Sequence, residues 1–179
     1  MLAIRLFKGQ LGAGWGRFPL LGAALVLLLF ALWAGLLRLG WGWPVLLPGL
    51  PMAHGPLMVN GFLATLIGLE RAVSLQVRWA YFAPLLTVVG VILLLAGGGH
   101  VVGLGVVLLG NLMLLVIMGK LYTIHPTIDV VVIASGVALG LIGNLLWLLG
   151  TPIPHLVLWW MGFLVLTIAG ERLELSRLL

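Results

Sequence analysis

Apolar residues do not alternate with polar ones along this chain. They run together, in six blocks at about 19–38, 54–73, 80–97, 101–120, 128–149 and 155–173. A helix needs roughly 20 apolar residues to cross a hydrocarbon core about 30 Å thick. Each block therefore predicts one transmembrane helix, and residues 1–179 predict a single all-α domain, a polytopic membrane helix bundle. The breaks carry turn residues: WGWPVLLPGLP after the first block, Gly97-Gly98-Gly99 after the third, His125-Pro126 before the fifth and TPIP before the sixth. The first block is too long for the apolar region of a signal peptide and reads as a membrane helix.

Two blocks share a pattern. HGPLMVNGFLATLIGLER runs from His54 to Arg71, and HLVLWWMGFLVLTIAGER from His155 to Arg172. Each sets a histidine 16 positions before a glutamate, with Gly-Phe-Leu between, and the copies start 101 residues apart. They are the second and sixth spans, so they cross in the same direction, as a parallel pseudo-repeat with a period of four helices. At 1.5 Å per residue the His-to-Glu step covers about 24 Å. Each histidine falls near one edge of the hydrocarbon and each Glu-Arg pair near the other.

On a helical wheel His54 shares a face with Gly61, Thr65, Gly68 and Ala72. In the sixth span His155, Gly162 and Ala169 keep that face, but Leu166 and Leu173 fill the rest of it. A column of small residues admits either a close-packed neighbouring helix or a flat prosthetic group. Gly136, Gly140 and Asn144, at steps of four in the fifth span, read as helix packing. Asn60, Asn111 and Asn144 read as interhelical hydrogen-bond formers. Glu70-Arg71 and Glu171-Arg172 read as braces that snorkel at the membrane edge, each Glu pairing with a cation on a neighbouring helix, with a proton entry point as the functional alternative.

Composition closes off several classes. Hydrophobic residues make up 63% of the chain and charged ones only 7%, too few for a water-facing surface. With the N-terminus inside, Arg5, Lys8, Arg17, Arg71, Arg78, Lys120, Arg172 and Arg177 face the cytoplasm and Arg38 alone faces out. The net charge of +5 is thus a matter of membrane orientation, not of nucleic-acid binding. The expected setting is the inner (plasma) membrane, with both termini cytoplasmic. Tryptophans and tyrosines near the span ends read as interfacial anchors. Cysteine is absent, which removes disulfides and thiolate metal sites. No phosphate-binding glycine loop or nucleophile-elbow pattern occurs. No span shows the mid-depth charge or interrupted helix of a transporter site.

Candidate chemistry rests on histidine, the commonest metal-ligating side chain. His54 and His155 hold matched depths in the two copies and are the candidate ligands. His100 and His125 fall in turns and read as loop residues. Histidines at the outer ends of the second and sixth spans, on a parallel four-helix period with the N-terminus inside, resemble subunit I of the haem–copper oxidases. A histidine followed by a Gly-rich second span is similar to the NnrS family of haem- and copper-containing membrane proteins linked to nitric oxide. The resemblance implies helices in arcs of four, haem on His54 beside Gly61, Thr65 and Gly68, and copper on His155. It implies a role in nitric oxide or oxygen handling or electron transfer.

The resemblance also marks departures. Twelve helices are expected and six are here. A complete oxidase site needs six histidine ligands, against four in this chain. Trp159 stands where a cross-linking tyrosine is expected. The chain alone is therefore not expected to be a terminal oxidase; the expected readings are a half that a second copy or a further membrane subunit completes to twelve helices, a piece of a longer protein, or a reduced relative. Carbonyls near Pro51 and Pro152 are the expected acceptors for the ligands' other ring N–H. The alternative expectation is a cofactor-free membrane scaffold or assembly subunit.

Overall fold

A computed structural model describes residues 2–177, with side chains from Arg17 onward. The side chains of Arg5 and Lys8, placed above by charge, lie outside the described residues. Six helices are long and apolar enough to cross a membrane. α1 is Leu2–Arg38, with its apolar span from Arg17. The others are α2 (Leu50–Leu75), α3 (Arg78–Leu95), α4 (His100–Ile124), α5 (Ile128–Leu148) and α6 (Ile153–Ser176). No strand occurs among the described residues. The chain is a multi-pass membrane helix bundle.

Successive helices run antiparallel; the segment 39–49 joins α1 to α2, and the later connections are turns of two to four residues. Gly97 and Gly99, both at positive φ, close the α3–α4 turn, where a side chain would be strained. One end of the bundle gathers Arg17, Arg71, Arg78, Lys120, Arg172 and Arg177, and is called the basic end below. The other carries Trp33, Trp41, Trp43 and Trp147, and is called the tryptophan end. Trp33 packs on Trp43 with ring centroids 4.5 Å apart, and its indole N–H donates to the Pro44 carbonyl at 3.1 Å.

Two hairpins pack through glycine. A Cβ on Gly90 of α3 would stand 2.7 Å from the backbone nitrogen of Val107 on α4. One on Gly110 would stand 2.5 Å from Thr87 Oγ1 and 2.9 Å from the Ala83 carbonyl oxygen. In the α5–α6 hairpin Gly136, Gly140 and Gly143 seat Thr167, Phe163 and Trp160. Small residues let helix backbones approach closely where lipid offers no hydrophobic drive to associate. Thr87 and Thr167 each turn the hydroxyl back onto their own helix, donating to the Ala83 and Phe163 carbonyls. Thr167 then presents its methyl to Gly136, whereas Thr87 keeps its hydroxyl oxygen against Gly110.

α2 joins the two halves of the core. On one side it packs with α1 and α3 around Leu27, Leu57, Val88 and Val91. On the other it meets α4, α5 and α6 around Val59, Ile67, Ile117, Ile133 and Phe163. Its membrane window is 56% buried, against 28% for α6. α2 is also irregular: a short 3₁₀ turn leads to His54, and residues Leu57–Ala64 form a π-helix before the α-helix resumes at Thr65. Thr65 Oγ1 donates to the Asn60 carbonyl at 3.3 Å. The π-turn inserts extra length into the helix, so positions before and after it no longer keep the wheel spacing of a regular α-helix.

Candidate functional site

His54 follows the opening 3₁₀ turn of α2 and leans on α1. Its Nδ1 lies 2.8 Å from the Ala31 carbonyl oxygen. In neutral imidazole that makes Nδ1 the donor and leaves a lone pair on Nε2, which has no hydrogen-bond partner among the described residues. The ring fits because α1 has glycine at 35: a Cβ there would stand 2.9 Å from Nδ1 and 3.0 Å from Cε1. The acceptor thus comes from α1, not from the proline-rich loop near Pro51. The sequence signal for it is the small-residue stripe of the first span, where Ala24, Ala31 and Ala34 are fully buried.

The column below His54 is filled by protein. A Cβ on Gly61 would stand 3.3 Å from Leu27 Cβ and 3.5 Å from Val91 Cγ1, and one on Gly68 would stand 3.5 Å from Pro84. Thr65 is fully buried. This face therefore seats α1 and α3, and no macrocycle-sized space lies along it. His155 occupies a different setting. It is exposed near the start of α6. Its backbone N–H donates to the Pro152 carbonyl at 3.0 Å, and its ring has no hydrogen-bond partner among the described residues. The buried stripe of α6 is instead Leu156, Trp160, Phe163, Thr167 and Gly170. Among the described residues no three His, Cys, Asp or Glu side chains converge to hold a metal.

A buried amide cluster ties α2 to α5 and α6. Asn60 and Asn144 exchange hydrogen bonds, at 3.1 Å and 2.7 Å, and Trp160 Nε1 donates to Asn144 Oδ1 at 3.1 Å. Two asparagines therefore act as interhelical bonds, with each other as partners. Above them, toward the tryptophan end, lies a cavity of about 220 Å³. Asn60 and Leu57 of α2, Val91 and Leu94 of α3, His100 of α4 and Trp147 of α5 line it.

The basic end carries the charged contacts. Arg71 is 3% exposed. Its Nη1 donates to Glu174 at 2.8 Å and its Nη2 to Glu70 at 3.0 Å, while Nε is buried without a partner. Asp129, also buried, pairs with Arg177. Arg71 was expected to snorkel. It points inward because α6 brings a carboxylate to it, and pairing offsets part of the cost of burying its charge. Glu70 accordingly pairs with its own neighbour, and the bond across helices is Arg71–Glu174. Glu174 and Asp129 were not singled out from the sequence, and Arg177 was named only as a cytoplasmic charge. A signal was there: the α6 stripe 156, 160, 163, 167, 170 advances by alternate steps of four and three, and the next two steps land on 174 and 177.

A family model described as "Domain of unknown function (DUF8744)" matches residues 17–179. No curated protein and no solved structure matches the chain.

Proposed function

The chain belongs to the DUF8744 family, whose description carries no activity, and from the site we propose a haem- or copper-binding membrane protein in which His54 supplies one imidazole ligand. The observation that carries this reading is the seating of His54. A ligating imidazole normally gives its other ring N–H to a carbonyl or carboxylate, which fixes the tautomer and raises the basicity of the ligand nitrogen. Ala31 supplies that carbonyl, and Gly35 supplies the slot.

The fit is to a ligand, not to a pocket. His54 suits a ligand to haem iron or copper, whereas the face of Gly61, Thr65 and Gly68 does not suit a porphyrin, because Leu27, Val91 and Pro84 fill it. The remaining ligands and walls would come from a second copy or a further membrane subunit, as the arcs of a haem–copper oxidase or NnrS-like assembly would require. His155, exposed near the same end, is available to such a partner. When bound, the metal would supply electron transfer or gas binding; this chain's part is to hold and orient imidazole.

A cofactor-free scaffold is the competing reading, and the filled small-residue face favours it. Expression with ample iron, copper and haem precursor, followed by a haem assay and metal analysis on the purified chain, separates the two. We expect His54→Ala to lose haem, and His155→Ala to keep haem while losing copper. Gly35→Ala should weaken haem retention without removing the ligand, because it pushes on the ring. If the parent chain carries neither haem nor copper, the scaffold reading stands.

A further inference from the structure

We propose that the cavity at the tryptophan end binds a neutral, membrane-soluble molecule about the size of one substituted ring, carrying a hydrogen-bond-accepting oxygen of the carbonyl type. Size sets the first limit. An apolar protein cavity of about 150 Å³ holds benzene, and drug-sized ligands need about 300 Å³ or more. At about 220 Å³ the space takes one ring with a few substituents and excludes a porphyrin.

Polarity sets the second limit. No Asp, Glu, Lys or Arg lines the cavity, so a charged ligand would find no partner. Most of the wall is Leu, Val, Pro, Met and Ala, with Asn60, His100 and Trp147 as the polar exceptions. Asn60 spends one amide hydrogen on Asn144 and keeps the other. The Trp147 indole N–H has no acceptor among the described residues; its ring instead meets the edges of His100 and Trp160, at 5.4 Å and 5.7 Å between centroids. His100 opens α4, where the first backbone N–H groups also lack intrahelical partners. The unspent groups are thus mostly donors, and their complement is an acceptor oxygen. An apolar cavity with a few convergent polar groups is the usual form of a small-molecule site.

The backbone gives an independent pointer. Leu57 and Asn60, both on the cavity wall, lie within the π-helix Leu57–Ala64. Single π-turns inside α-helices cluster at functional sites, since they cost regular hydrogen bonding. His54 does not line this space, so the inference is independent of the metal-ligand reading.

Two probes of one shape test it: tetramethyl-1,4-benzoquinone, and tetramethylbenzene, which lacks the oxygens. Binding to the detergent-purified full chain is followed by tryptophan fluorescence and by ligand-dependent thermal stability. We expect saturable binding of the quinone, about tenfold tighter than the hydrocarbon, which is the order of one neutral hydrogen bond. His100→Ala, at an exposed position, should reduce quinone affinity several-fold and leave the hydrocarbon unchanged. Ala53→Phe, which fills the cavity, should abolish both. Equal affinity for the two probes, no saturable binding of either, or quinone binding that survives Ala53→Phe would each overturn the proposal.

Discussion

Arg71 shows how one residue can matter more than its place at a membrane edge suggests. Its guanidinium is buried, whereas the Glu70 and Glu174 side chains that hold it are 53% and 41% exposed. Removing a partner from a fully buried pair costs 3–5 kcal/mol. Here the two carboxylates can turn to solvent, so Arg71→Leu should cost less, about 2 kcal/mol in detergent unfolding. Glu70→Gln should cost about 1 kcal/mol or less and leave any bound chromophore in place, because the Glu174 bond remains. A larger loss from Glu70→Gln than from Arg71→Leu would reverse this order. The polar character of these positions was legible from sequence, but their partners were only partly so. Asn60 and Asn144 stand out as polar residues within apolar runs. The acceptor for His54 is a backbone carbonyl of Ala31, on another helix, and backbone carbonyls leave no mark in a residue pattern.

At the scale of the element, helix number and length were legible because bilayer thickness leaves little choice. The observed ends differ from the expected ones by a few residues; α6, for example, runs Ile153–Ser176 against an expected 155–173. The two copies of the repeated pattern were expected to hold their histidines at matched depth on partly matching faces, with Leu166 and Leu173 filling the second copy's face. The 16-residue spacing is equal in sequence, but among the described residues α2 contains a π-helix and α6 does not, so equal spacing does not mean equal rotation. Nothing in LMVNGFLA announces that turn, because π geometry depends on what the freed carbonyls find. Glycine positions divide into two kinds. Gly110→Val should disrupt the α3–α4 hairpin, by 2 kcal/mol or more on the scale of overpacking (roughly 1–3 kcal/mol), since backbone as well as Thr87 stands in the way. Gly119→Ala, with nothing within 4 Å of its Cβ position, should be neutral or stabilise by up to about 1 kcal/mol. Thermal melts of the two variants check the contrast.

For the whole molecule, the gathering of arginine and lysine at one end argues an orientation. The basic end should face the cytoplasm, so a reporter fused after Leu179 should be active inside the cell. An external reporter would invert the assignment. One consequence of α2's position concerns the order in which the chain is made. α2 is the least apolar of the six spans. The partners of Asn60 and Arg71 on other helices are Asn144 and Glu174, which leave the ribosome only after α3 and α4 have been synthesised. Until then the second helix carries into the insertion machinery an unpaired amide and a cation paired only with its own neighbour Glu70, both costly in hydrocarbon. A nascent chain stopped at Thr127 should therefore hold that helix poorly and expose it to proteases. The same stopped chain carrying Asn60→Leu and Arg71→Leu should retain it. Protease-protection mapping of the two reads the difference, and equal protection would mean that this helix inserts without waiting for its partners.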